Sequence, residues 1–107
     1  MHLPYEARTA LGDIFDIKFP LHKDTGDPIK VEQLITAILK VIEDELSVTG
    51  PISNGDVLQA VSMSLAIRSG MIYAPKETSA ALTQGLVKTA LEALDTANIW
   101  RAQSGKA

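Results

Sequence analysis

Cysteine does not occur among the 107 residues. Disulfides, thiolate metal sites and a cysteine nucleophile are therefore excluded. Aromatic residues are scarce, at 5%, so a core must be built from Leu, Ile, Val and Ala, which suits packed helices. No stretch approaches the ~18 consecutive apolar residues of a membrane span. The opening "MHLPYEARTA" has no basic region followed by an apolar core, so it does not read as a signal peptide. A soluble cytoplasmic protein is the expectation, with no membrane partner. Basic charge is not concentrated either. Residues 1–50 hold five Lys/Arg against nine Asp/Glu, a balance of −4; residues 51–107 hold five against four, or +1. Nucleic acid is not an expected partner, because neutralising phosphates requires a basic face.

The patterns of site chemistry are missing as well. "GDP" and "TGP" lack the glycine spacing and the lysine of a phosphate loop. No serine stands in a glycine-flanked elbow, and with His2 near the start only His22 remains as a base. His22, Asp24 and Asp27 lie close together, but calcium loops need acids at several fixed spacings with a distal Glu, and zinc prefers several His or Cys ligands. The cluster reads as a solvated turn. Glu43, Asp44 and Glu45 read as a solvated helix end, offset by the positive start of the next helix. A helix-turn-helix reading fails on its recognition residues, since the second helix offers only Asn54, Gln59 and Arg68 to base edges. The expectation is no cofactor, no metal and no catalytic residue.

What the sequence does have is periodicity. In "GDPIKVEQLITAILKVIEDEL", Val31, Leu34, Ile35, Ile38, Leu39, Val41, Ile42 and Leu46 fall within half a helical circumference. Asp27 can cap this helix, Pro28 fits its first position, and "TGP" at 49–51 ends it. A second helix is expected from Ser53 and Asp56, a capping-box pair, to Gly70 as a left-handed stop. A third runs from about 78 to 101, with an apolar arc from Leu82 to Trp100. "SGKA", 104–107, reads as a frayed tail.

"FDIKFPL", residues 15–21, alternates with period two and reads as a strand. Its visible partner is weak: "MIYA", 71–74. Pro20 cannot donate to a ladder. The favoured reading is an extended arm laid on the helices, with residues 5–14 as a possible short helix before it. The expected fold is therefore mainly α: a three-helix single domain (helices 28–47, 54–69 and 78–101), with an N-terminal arm over 1–26, a helical core over 27–103 and at most a minimal β-ribbon.

The second helix is apolar on two sides. Val57, Leu58, Val61 and Leu65 make one strip; Ala60, Met63 and Ile67 make another, over 100° away. Between Asp56 and Arg68 no residue is charged. A helix apolar around most of its circumference is covered on more than one side. No motif carries a family resemblance. The leading expectation is a protein-interaction or assembly module forming a homodimer, or binding another protein, through Phe15, Ile17 and Phe19 of the arm and Met63, Ile67 and Met71. The alternative is a small-molecule-binding protein or enzyme with a pocket near Arg68, Tyr73 and Trp100. Arg68 also suits a helix C-terminus, where it could reach Asp27 or Glu32.

Overall fold

A computed structural model describes residues 1–102 of the chain. The elements in order are β1 (His2–Arg8), β2 (Ile14–Pro20), α1 (Pro28–Thr49), α2 (Asn54–Gly70), α3 (Lys76–Ala93), one 3₁₀ turn (Leu94–Thr96) and β3 (Asn98–Trp100). The protein is mainly α with a small antiparallel sheet. It divides into two compact units: Met1–Leu34 together with the chain from Val87 onward, and Ile35–Leu86.

In the first unit the strand order is β1-β2-β3. "FDIKFPL" is thus the centre of a sheet and not an extended arm. Its partners are "HLPYEAR" on one side and "NIW" on the other. "MIYA" takes no part, because residues 71–74 form turns. The proposed helix over 5–14 is also replaced by β1 and its turn. The register sets Leu3 opposite Phe19, Tyr5 opposite Ile17 and Ala7 opposite Phe15, and β3 adds Ile99 opposite Phe15. Opposed residues share a face, so these seven build the apolar face of the sheet. Leu3 and Ile17 are buried there, while Phe15 and Phe19 are half-buried.

Two hydrogen bonds fix the outward-facing positions of the sheet. Thr9 N–H donates to the Asp13 carbonyl at 2.9 Å, and Leu21 N–H donates to the Met1 carbonyl at 2.9 Å. Antiparallel pairing alternates along each strand, so the odd-numbered residues of β1 and β2 bond to one another. His2, Pro4, Glu6 and Arg8 then turn their backbone groups to the open side of β1. On β2, Lys18 and Pro20 do the same beyond the reach of β3, which pairs only with Ile14–Asp16. Pro20 therefore lacks a donor where no neighbour needs one.

The β1–β2 turn passes through Gly12 at φ +96°, a conformation that side chains rarely adopt. A Cβ there would also meet the Ala102 Cβ at 3.4 Å. After the sheet, the Asp27 carboxylate accepts the Ile29 and Lys30 N–H groups at 3.0 and 3.3 Å, capping α1 as its sequence predicts.

The second unit is helical. α1 ends at Gly50, whose φ of +89° closes the helix with an N–H bond to Leu46 O at 3.1 Å. Ser53 Oγ accepts the Asp56 N–H at 3.1 Å and starts α2. Gly70 does not act as a left-handed stop: it stays in the helix, and Met71 caps it in right-handed geometry. α3 starts at Lys76, two residues early, because the Pro75 carbonyl already accepts the Thr78 and Ser79 N–H groups. A seam of small polar side chains joins α2 to α3. The Thr83 hydroxyl lies 2.9 Å from that of Ser69 and 2.8 Å from the Ser79 carbonyl. Ser79 itself is buried.

In the first unit again, α3 stops at Ala93, not at 101. The 3₁₀ turn bonds Ala97 N–H to Leu94 O, and Ala97 is extended. The helical arc of the sequence thus breaks so that Asn98, Ile99 and Trp100 can pair with β2. Residues 104–107, read as a frayed tail, lie outside the described residues.

Candidate functional site

Helix α2 exists because Ser53 caps its first turn and no proline or β-branched run interrupts it. Its side chains then face outward on every side. Met63 is 57% exposed, Ile67 63% and Met71, at the cap, 59%. These three are spaced four apart and form one stripe. The opposite strip is open too: Leu58, Val61 and Leu65 are all exposed, and only Val57 and Ser69 are half-buried.

The rest of this unit repeats the pattern. On α1, Ile38, Leu39 and Val41 are exposed, with Ile35, Ile42 and Leu46 half-buried. On α3, Leu82 and Leu86 are exposed. Fifteen large apolar side chains between Ile35 and Leu86 are exposed in all, and none is buried. Ser79 is the one buried residue of the unit. A monomeric surface normally scatters such side chains singly. Here they run along all three helical segments of the unit.

Several polar groups along these helices are already satisfied. Ser64 Oγ donates to the Ala60 carbonyl at 2.9 Å, Ser47 Oγ to the Asp44 carbonyl and Thr49 Oγ1 to the Glu45 carbonyl, each at 2.8 Å. Lys40 Nζ pairs with Asp44 at 3.0 Å. Covering the layer would therefore strand few hydrogen-bonding groups.

Two other features lie in the first unit. One is a cleft of about 640 Å³ lined by His2, Pro4, Lys18 and Pro20 of the sheet and by Thr89, Glu92, Ala93 and Thr96. It is open to solvent, whereas ligand sites bury most of their occupant. The other is a clasp at Asp13. Its carboxylate accepts the Ala102 N–H at 2.8 Å and an Arg101 guanidinium N–H at 3.2 Å. The Arg101 guanidinium also stands 5.3 Å from the Phe15 ring centroid. Above all the Ala102 bond, then the Arg101 contact, holds the Asp13 pKa below its usual value, against the opposing effect of burial.

No family model, curated protein or solved structure matches the chain.

The structure distributes the residues singled out by the sequence. Met63, Ile67 and Met71 share one open stripe. Ile17, at 6% exposure, belongs to the core of the first unit, and Phe15 and Phe19 share its face, so the sheet takes the residues assigned to an arm. Arg68 is exposed in the last turn of α2 with no ion-pair partner among the described residues. Tyr73 is fully exposed in the α2–α3 link, and Trp100 is exposed on β3. None of these three lines the cleft. His22 and Asp27 are engaged locally: His22 Nδ1 accepts the Asp24 N–H at 3.1 Å, and Asp27 caps α1. Among the described residues no group of three or more His, Cys, Asp or Glu could hold a metal ion. No helix among the described residues is long and apolar enough to cross a membrane. Sequence reasoning missed the clasp, since its two halves lie 88 residues apart.

Proposed function

We propose that the chain is a protein-interaction and assembly module whose helical layer is completed by other protein chains, copies of itself first among them. The observation that carries this reading is the unit Ile35–Leu86, where fifteen large apolar side chains stay exposed and none is buried. Fully burying one such side chain is worth roughly 1.5–3 kcal/mol, so at half exposure the layer forgoes on the order of 10–20 kcal/mol. That matches the entire stability of a typical domain, about 5–15 kcal/mol. Obligate interfaces look like a domain core cut in half, and this layer has that composition.

Sedimentation or light scattering across micromolar concentrations tests the reading. The expected mass is a multiple of 11.5 kDa. Ile67→Glu should place an unpaired charge in the dry contact and shift the mass to the monomer while circular dichroism stays helical. A wild-type mass fixed at 11.5 kDa over the whole range would overturn self-assembly.

A further inference from the structure

We propose that β3 is a releasable strap: residues 94–102 move between a strand held on β2 and a helical continuation of α3. The device lies in the first unit and does not depend on the helical layer of the second.

Three observations lead there. First, the attachment is short and fastened at one end. β3 pairs only Asn98, Ile99 and Trp100 with β2, and all three are exposed. Its end is held by Asp13, whose carboxylate accepts the Ala102 N–H at 2.8 Å and the Arg101 guanidinium N–H at 3.2 Å. The guanidinium also lies over the Phe15 ring, and the Ala102 Cβ comes up against bare Gly12. These grips all fall on residues 101 and 102, and one carboxylate supplies both hydrogen bonds.

Second, the other end is a hinge. α3 gives way at Ala93 to a single 3₁₀ turn, closed by the Ala97 N–H on the Leu94 carbonyl, and Ala97 is extended. Short 3₁₀ stretches beside α-helices often mark hinges. No proline or glycine lies between Leu86 and Ser104, so the chain itself sets no stop to the helix.

Third, the segment has two incompatible ways to place its apolar side chains. As a strand it sets Ile99 opposite Phe15 on the apolar face. Trp100, opposite Ile14, then turns to the other face and is 55% exposed. As a helix, at ~100° per residue, it sets Trp100 within about 120° of arc with Ala90, Leu94 and Ala97. Ile99 then turns to the side opposite Ala90. Arg101 would fall in the last turn, where a cation suits the helix dipole. Each state serves one of the two large apolar residues. Such a conflict between local pattern and tertiary pairing gives an element two packings of similar stability. The Asp13 clasp decides for the strand. In that state the strap covers the backbone groups of Ile14 and Asp16; release extends the open edge of β2 from Lys18 back to Ile14.

Hydrogen exchange measured by NMR on the full chain tests the strap, because β2 carries its own control. Antiparallel alternation points the Ile14 and Asp16 N–H groups at β3, and those of Phe15 and Ile17 at β1. Asp13→Ala should speed exchange at Ile14 and Asp16 tenfold or more, while Phe15 and Ile17 keep their wild-type rates. In the same variant the Cα shifts of Asn98, Ile99 and Trp100 should move from strand towards helical values. Ile99→Ala leaves the clasp intact but removes the strand's apolar anchor, and it should give the same pattern.

Equal acceleration at all four amides would mean that the whole hairpin opens, and would refute the strap. Unchanged rates at Ile14 and Asp16 in both variants would refute it too. Faster exchange at those two, with coil-like shifts over 98–100, would overturn the helical state.

Discussion

Asp13 stands between two segments far apart in sequence and takes hydrogen bonds from both Arg101 and Ala102. Its folded-state pKa lies below the ordinary value, chiefly through the Ala102 N–H. As pH falls, the unfolded chain therefore takes up this proton before the folded one does. The clasp contributes its full stability above the ordinary carboxylate range and loses it as pH drops through the lower folded value. Asp13→Asn should lower the melting temperature at neutral pH, and the gap between the two proteins should close as pH falls below the ordinary carboxylate range. Thermal melts at a series of pH values check this; a constant gap would show that the carboxylate's charge plays no part. Little of it was legible. Gly12 and Asp13 fell within the possible short helix over 5–14, and Arg101 read as the end of a helix, because a single sequence does not show which residues 88 positions apart will meet.

Among the elements, those with local signals were readable and those without were not. α1 and α2 begin where Asp27 and Ser53 can cap them, since a cap and its helix are neighbours in sequence. β3 was hidden, because Ala97 and Trp100 continue the helical spacing of α3 and only the open edge of β2 draws residues 98–100 into a strand. β1 carried a period-two signal in Leu3, Tyr5 and Ala7, which the helical stripe of Ala7, Leu11 and Ile14 obscured. The free side of β1 shows how the sheet avoids unwanted pairing. Pro4 removes a donor from the middle of that edge, while Glu6 and Arg8 pair with each other at 2.7 Å. Pro4→Thr should restore the donor and lose the proline's restriction of the unfolded chain, lowering stability by about 0.4–1 kcal/mol. It should also bring sheet-edge association, visible as added β signal in infrared spectra at high concentration. Spectra independent of concentration would mean that Pro4 does not guard the edge.

For the molecule as a whole, the two strips of α2 were legible in the sequence, but whether the chain itself covers them was not. Periodicity marks which side chains seek cover; only the fold shows what they find. A core completed between copies makes stability depend on concentration. Each tenfold dilution should cost a dimer about 1.4 kcal/mol, so the melting temperature should fall by several degrees per decade in differential scanning fluorimetry. A flat profile would argue against shared folding. The sheet has another consequence, one of timing. β2 is complete by Pro20, yet its second neighbour begins only at Asn98, and the clasp joins residues 88 apart. At roughly 5–20 residues per second of synthesis, Asp13 waits about 4–18 seconds for Arg101 to be made. Through that interval the β1–β2 hairpin is a two-stranded ribbon, barely stable alone in water, with Phe15 lacking its Ile99 neighbour. Distance along the sequence becomes, on the ribosome, a period of exposure.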